Sequence, residues 1–447
     1  MLFVFLNVKE HIMESSAPPP VTEADDRRIM RRVFWRIVPL CFVLYIVSYI
    51  DRANIGYAAL QMNAELRISD EAFGFAAGIF FIGYFLFEVP SNMLMARYGP
   101  RIWIARILIG MGVVSMATAF VQSTSQLYGL RFLLGVAEAG YFPAIIIYLT
   151  AWFRAREQAT VVAMFTAAIP VSYIIGTPVS TWIIDHVQGL GLTGWRWMFL
   201  IEGLPAVIGG LFTYRLLVDR PANARWLIPA ERDWLEAEIA REHAATGVRH
   251  LNTWRAITEP RVLYLAAIYF VYQAGSLGVG YWLPQIVKHS GKSLSNVETG
   301  LIATLPYIVA TIGMVLWSRR SDRTGERRYH TAWPLLLAGA TLGGVAWVAG
   351  PIPATILLAA ALTGFYAFKA PFWTLPGMFL SRATAAVSIA AINSIGNLGG
   401  FVGPYVVGVV AKASGKPATG LVFLAGLTLV AFVMVLAAPL TSRKDSA

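Results

Sequence analysis

The sequence predicts an all-α membrane protein with twelve transmembrane helices in two six-helix bundles. Composition is the first reason. The chain is 57 % hydrophobic and 14 % charged, against about 25 % charged in an ordinary soluble domain. With a mean hydropathy of +0.60 over 447 residues, it has too few charges to cover a soluble surface. The second reason is twelve apolar runs, each close to the roughly 20 residues that cross about 30 Å of hydrocarbon. The third is a single long polar stretch, residues 219–260, which parts those runs six and six.

Taken in order, the chain opens on MLFVFLNV, which lacks the basic flank and small-residue cleavage site of a signal peptide. Residues 13–22 are rich in Pro and Ser, so residues 1–32 read as a flexible cytoplasmic tail, and Met13 is an alternative start. The first bundle occupies 33–218, with spans near 34–58, 71–95, 102–122, 126–150, 159–184 and 196–218. The linker 219–260 contains PANARWLIPAERDWLEAEIAREH, whose charges and periodic Leu and Ile fit an interfacial or solvated amphipathic helix. The second bundle occupies 261–440, with spans near 261–287, 297–317, 331–350, 354–379, 383–410 and 418–440. Residues 441–447 form a cytoplasmic tail. NMLMARYGPR after the second span and SRRSDRTGERR after the eighth both place a basic residue, one spacer and Gly before further Arg. This internal repeat fits two parallel six-helix halves rocking about a central site.

Charge placement sets the orientation. If the N-terminus is cytoplasmic, only Arg67, Arg196, Lys288, Lys292, Lys412 and Lys416 fall outside, and Arg52, Arg131 and Lys369 fall within spans. All other members of the 36 Lys and Arg lie inside. Both termini are therefore expected in the cytoplasm. The net charge of +11 flanks apolar segments and does not describe a nucleic-acid surface. The single Cys41 and six scattered His give neither a disulfide framework nor a metal cluster. GVAEAG and SIGNLGG lack a strand–turn–helix setting, and no phosphate-binding G-x-x-x-x-G-K-[ST] occurs. No paired catalytic carboxylates or nucleophile triad is visible. The sequence thus predicts no enzyme and no cofactor, with an ion gradient as the energy source.

The informative residues are charges at bilayer depth, which normally face a polar cavity. Asp51 and Arg52 lie in YIVSYIDRANIGYAAL with Tyr49, Asn54 and Ser48. Adjacent helical residues point about 100° apart, so Asp51 is free to carry a proton while Arg52 meets a carboxylate or holds Asp51 anionic. Arg131 and Glu138 are two turns apart, roughly 10 Å, on nearly one face. An anion at Arg131 would release its hold on Glu138 and favour protonation there. A structural ion pair between helices is the plainer alternative. Glu88, near the cytoplasmic end of its span, suits a gate or an interhelical hydrogen bond, with Tyr84 one turn away. Lys369 adds a positive group in the tenth span, near Trp373. Asn393 and Asn397, at i and i+4, share one face suited to carboxylate or hydroxyl groups.

YIDRANIG at 49–56, FEVPSNMLMARYGPR at 87–101, RFLLGVAEAGYFPA at 131–144 and NSIGNLGGFVGP at 393–404 carry a family likeness. Over roughly residues 30–440 the chain resembles the major facilitator superfamily, and within it the anion:cation symporters of sugar acids, tartrate, phthalate and hydroxyphenylacetates. The resemblance implies a multi-pass protein of the bacterial inner membrane, working as a monomer on an organic carboxylate anion and protons. It implies proton coupling at Asp51 and Glu138, substrate contact at Arg52, Arg131, Tyr49 and Asn397, and gating at Arg97, Arg101, Asp322 and Arg323. The superfamily loop motif G-x-x-x-D-R-x-G-R-R is matched by Asp322, Arg323 and Gly325, with Ser318 at its first position. In the first-half copy, Asn92 and Ala96 replace the Gly and Asp. Some galactonate carriers of the group place Gln in the fifth helix, where this chain has Ile169-Pro170. That departure weighs against galactonate and leaves aromatic or short dicarboxylic acids open.

Overall fold

The computed structural model describes residues 23–245, 258–291, 293–379 and 382–438. They form helices and short connections. In the first half these are α1 (Glu23–Glu65), α2 (Asp70–Tyr98), α3 (Pro100–Thr118), α4 (Thr124–Glu138), α5 (Tyr141–Thr150), α6 (Ala155–Thr166), α7 (Ala168–His186) and α8 (Gly194–Leu216). The polar α9 (Pro229–Ala245) follows. Then come α10 (Pro260–Ser290), α11 (Asn296–Thr324), α12 (Arg328–Gly344), α13 (Pro351–Phe379), α14 (Arg382–Asn397), α15 (Gly399–Ser414) and α16 (Pro417–Ala437). Eleven helical stretches are long and apolar enough to cross a membrane, with α4–α5, α6–α7 and α14–α15 each counting as one. The protein is thus an all-α, multi-span membrane protein. Of the twelve expected spans, the one near 331–350 differs. There α12 has 17 residues and gives way to the 3-10 turn Val345–Trp347.

Local sequence explains the helix ends. Ser69, Ser123 and Ser295 accept first-turn N–H groups. Pro100, Pro260 and Pro417 start helices where their missing N–H is harmless. Gly325 and Gly415 close α11 and α15 with φ of +67° and +71°. The breaks inside spans matter more. Between α4 and α5, Ala139 is extended and Gly140 takes φ +84°, a conformation that favours glycine. Turns at Ala167 and Leu398 interrupt the α6–α7 and α14–α15 spans.

The first helix corrects an expectation. Its start at Glu23 places residues 23–32, expected within the flexible tail, in a helix; residues 1–22 and 439–447 lie outside the described ones. Contacts explain the order. Ile29, Met30 and Val33 are buried, and Asp26 binds Arg154 at 2.7 Å and Arg156 at 2.7 Å. Arg32 reaches Glu231 of α9 at 2.9 Å. At about 1.5 Å per residue, the 43-residue α1 is about 65 Å long, twice the hydrocarbon thickness.

The halves meet chiefly where α1, α7, α10 and α15 end and where α2 and α11 begin. Gly74 packs against the backbone of Pro404 and Gly408. Tyr173 stacks on Tyr307 with centroids 4.3 Å apart. Asp185 accepts from Asn296 Nδ2 at 2.7 Å and from the Val297 N–H at 2.9 Å, capping the positive end of α11. Lys412 pairs with Glu71 at 2.6 Å.

Candidate functional site

Helix α1 carries the site because it presents different neighbours on different faces. Arg52 turns toward α2 and the α4–α5 break. Its Nε donates to Glu138 Oε1 at 3.1 Å, and its Nη2 binds the same oxygen. Ser48 adds a hydroxyl at 3.3 Å. The guanidinium lies over the rings of Tyr49, Phe80 and Tyr84 at 4.7, 5.3 and 5.6 Å, an arrangement that stabilises a desolvated cation. Glu138 is fully buried, and its Oε2 has no hydrogen-bond partner among the described residues. It is the last residue of α4, so the break that follows sets its position.

This pairing differs from the sequence reading, in which Arg131 is the countercharge for Glu138. Arg52, 86 positions away on another helix, takes that place. Arg131 instead donates through Nε to the Ala76 carbonyl at 3.4 Å, with its charge 5.3 Å from the Phe80 ring. Its Nη1 and Nη2 have no hydrogen-bond partner among the described residues, although the residue is 1 % exposed. Tyr281 of α10 stands beside it, its hydroxyl within side-chain reach of the guanidinium but not in hydrogen-bond geometry with any described residue. Two buried donors on a fixed cation cost free energy unless something accepts from them. The spacing of guanidinium nitrogens matches the two oxygens of a carboxylate.

The second half contributes from the opposite side. Lys369 of α13 is half-buried and within electrostatic reach of Arg52. Trp373 packs edge-on against Tyr269 at 4.9 Å. Asn397 accepts from Gln273 Nε2 at 2.8 Å, and Asn393 lies beside the Glu88 carboxyl. Glu88 accepts from Ser394 Oγ at 2.6 Å, a hydrogen bond that joins α2 to α14 across the halves.

Asp51 does not share Arg52's surroundings. It is fully buried and accepts from Ser115 Oγ of α3 at 2.7 Å. The loop residues also stay within their own halves. Asp219 accepts the Arg101 N–H at 2.8 Å and lies 3.9 Å from its Nε. An acid from beyond α8 thus stands near the position where Ala96 leaves none. Asp322 pairs with Arg327 at 2.8 Å. Arg97 lies over Tyr98, and neither it nor Arg323 makes an ion pair among the described residues.

Sequence reading missed Glu202 in WRWMFLIEGLPAV. It is 6 % exposed on α8 and accepts from Ser180 Oγ at 2.6 Å. An acid inside an apolar span was the available signal. Phe80, Gln273 and Ser394 had none, because aromatic, amide and hydroxyl side chains are common in such spans.

Comparisons with known proteins place this arrangement. The family described as the Major Facilitator Superfamily matches residues 41–404. A "Putative tartrate transporter" of Agrobacterium vitis is 47 % identical over 95 % of this chain and 94 % of its own length. A "Quinolone resistance transporter" of Acinetobacter baumannii is 38 % identical over 92 % of this chain and 94 % of its own. Among solved structures, a bacterial homologue of the human lysosomal transporter Spinster, inward-facing and occupied, superposes with a TM-score of 0.74. That match has 16 % identity and covers 92 % of this chain and 97 % of the other, so it speaks to the fold alone.

Proposed function

This chain belongs to the Major Facilitator Superfamily, and from that premise we propose that it is a proton-coupled symporter importing a small organic carboxylate by alternating access. Its setting is the bacterial inner membrane, where it works as a monomer with both termini cytoplasmic. In this reading α12 with its 3-10 turn is the remaining span. Helices α1–α8 form one six-span half and α10–α16 the other, joined by the linker that holds α9.

The carrying observation is the Arg52–Glu138 pair beside the unbonded edge of Arg131. A carboxylate that takes donors from Arg52 and Arg131 weakens the hold of Arg52 on Glu138. The freed carboxylate is then a buried anion without a full partner, and a proton neutralises it. Anion and proton binding thus favour one another, and the reciprocity of linked equilibria gives tight coupling. Lys369 contributes long-range attraction, and Tyr49 and Tyr84 wall the guanidinium. Contacts between halves gather at the end away from the basic loops, which supports a state closed on the outside. Glu88–Ser394 is a crossing contact toward the cytoplasmic end, and we assign it the role of inner gate. The Arg101–Asp219 and Asp322–Arg327 pairs brace the loops on which that gate moves.

The relative named for tartrate supports a short hydroxy-dicarboxylate as substrate, and the missing fifth-helix Gln weighs against galactonate. The relative named for quinolone resistance supports a second reading, export of an organic anion. Proteoliposomes loaded at neutral pH and diluted into acidic buffer with labelled tartrate and a panel of sugar and aromatic acids test both. Proton-driven accumulation is expected for wild type. Glu138→Gln should lose accumulation while retaining exchange. Full accumulation in that variant would remove Glu138 as the proton carrier. Export of quinolone without uptake of any carboxylate would favour the second reading.

A further inference from the structure

On the face of α1 turned toward α3 and α8 lies a second polar cluster, enclosed within the first half. Asp51, Asn54 and Ser180 are 0 % exposed, Ser115 1 % and Glu202 6 %. Close packing of α3 on α8, at Gly112 and Gly203, brings these groups together. Ser115 donates to Asp51 Oδ1, Asn54 Nδ2 donates to Ser115 Oγ at 3.4 Å, and Ser180 donates to Glu202 Oε1. Asn54 lies within side-chain reach of Glu202.

Donors and acceptors do not balance. Asp51 Oδ2, Asn54 Oδ1 and Glu202 Oε2 are all buried acceptors with no hydrogen-bond partner among the described residues. Neither carboxyl makes an ion pair there. The titratable groups in reach of Glu202 are Asp51 and Tyr57, both from α1. From α7 the nearest partner is the Ser180 hydroxyl, and α3 faces the cluster with Ser115. Two ionised carboxylates in this setting would be mutually repelling and largely desolvated. One proton on either carboxyl supplies a missing donor and removes the repulsion. Asp51 also lies within electrostatic range of Glu138. Three acids therefore cross the first half in the order Glu202, Asp51, Glu138, with one ion-paired cation, Arg52, at the far end.

We infer that Glu202 is an additional proton-carrying carboxyl of the transport cycle, linked through Asn54 and Ser115 to Asp51 on the face of α1 away from the substrate cations. The inference rests on the proton-coupled reading above. Uptake of a proton at Glu138 lowers the negative charge sensed by Asp51, and so changes how readily Asp51 and Glu202 hold theirs. The pair takes up and releases a proton of its own in each cycle, in addition to that of Glu138, while remaining out of contact with substrate.

The test is accumulation in proteoliposomes as a function of the imposed pH difference, for wild type, Glu202→Gln, Glu202→Asp and Asp51→Asn. One coupled proton is worth about tenfold in accumulation per pH unit. Glu202→Gln keeps an acceptor for Ser180 and presents an amide donor, so it should fold as wild type while accumulating about tenfold less per unit of pH difference. Glu202→Asp should restore the dependence. Should Glu202→Gln fail to fold, Asp51→Asn is expected to lower the slope alone. Wild-type slopes in Glu202→Gln, or in Asp51→Asn when that substitutes for it, would overturn the inference and leave the symport reading standing. Wild type without any pH-driven accumulation would overturn the symport reading itself.

Discussion

Gly74→Ala is the most direct test of how the halves close. A Cβ at this position falls 2.5 Å from the Pro404 carbonyl oxygen, 3.1 Å from Tyr405 Cα and 3.2 Å from Gly408 Cα. The obstacle is backbone, which has no rotamer to yield, and restoring ordinary contact requires α2 and α15 to separate by nearly an ångström. Overpacking of this kind costs typically about 1–3 kcal/mol. The penalty exists only where α2 and α15 touch, so it is a differential between the closed and open states of that end. It corresponds to about a 5- to 150-fold shift in their ratio. The gain in helix propensity from replacing Gly is common to both states and cancels. Spin labels at Leu190 and Trp347, exposed at 89 % and 84 % on connections of opposite halves at this end, report the separation by pulsed electron resonance. The single native cysteine, Cys41, is buried and gives little background. The variant should populate longer distances and transport more slowly. Gly129→Ala, with nothing within 4 Å of its new methyl, should match wild type. A distance distribution for Gly74→Ala that overlays the control would refute the argument that this contact is the closing surface.

Two further outcomes follow from named contacts. Arg52→Gln leaves Glu138 buried with only Ser48, and removing one partner of a buried pair costs about 3–5 kcal/mol; thermal unfolding in detergent should show the Arg52→Gln, Glu138→Gln double variant to be more stable than Arg52→Gln alone, and equal stabilities would deny that the pair is energetically coupled. Partial burial pushes the Glu326 carboxyl upward, but the Tyr329 N–H and the ring and N–H of His330, at 2.7, 2.8 and 3.0 Å, outweigh it and hold the group below the usual carboxylate range. A lowered folded-state value gives stability that is present above the unfolded value, near 4.3, and lost as pH falls through the folded one. Glu326→Gln should therefore reduce the acid-side loss of unfolding temperature, and an unchanged profile would deny that this group contributes.

Much of the helical layout was legible because lipid demands long apolar runs, and those runs survive any detail of packing. For the same reason the breaks at Ala139–Gly140, Ala167 and Leu398 were hidden. A residue beside a break still faces lipid or protein, so hydropathy continues across it. Gly140 and Pro143, or Gly399 and Gly400, mark the places only in retrospect. Arg52, Arg131 and Glu138 were legible as charges at depth, but their partners were not. Spacing along one helix identifies neighbours at i+3 and i+4 and says nothing about a residue 86 positions away. Arg131 does lie within electrostatic reach of Glu138, as its place on the same helix suggests, but the direct partner, Arg52, is beyond that local view. The order of residues 23–32 was likewise invisible, since it depends on Arg154 and Glu231 from other parts of the chain.

The two neighbours at 51 and 52 show how one helix serves two kinds of surroundings. Arg52 meets its partner at a helix end, where Glu138 precedes an extended residue and a glycine with φ +84°. Small backbone movements there can lengthen or restore the ion pair without breaking a continuous helix. Asp51 faces α3 and α8, unbroken helices held together at Gly112 and Gly203, where the same movement would meet backbone. Charge-state changes at Glu138 are therefore free to be geometric as well as electrostatic. Those at Asp51 and Glu202 must be almost purely electrostatic. In the proposed cycle this difference separates the tasks: the acid at the break responds to substrate, while the acids on the rigid face respond to the field that the first one leaves behind.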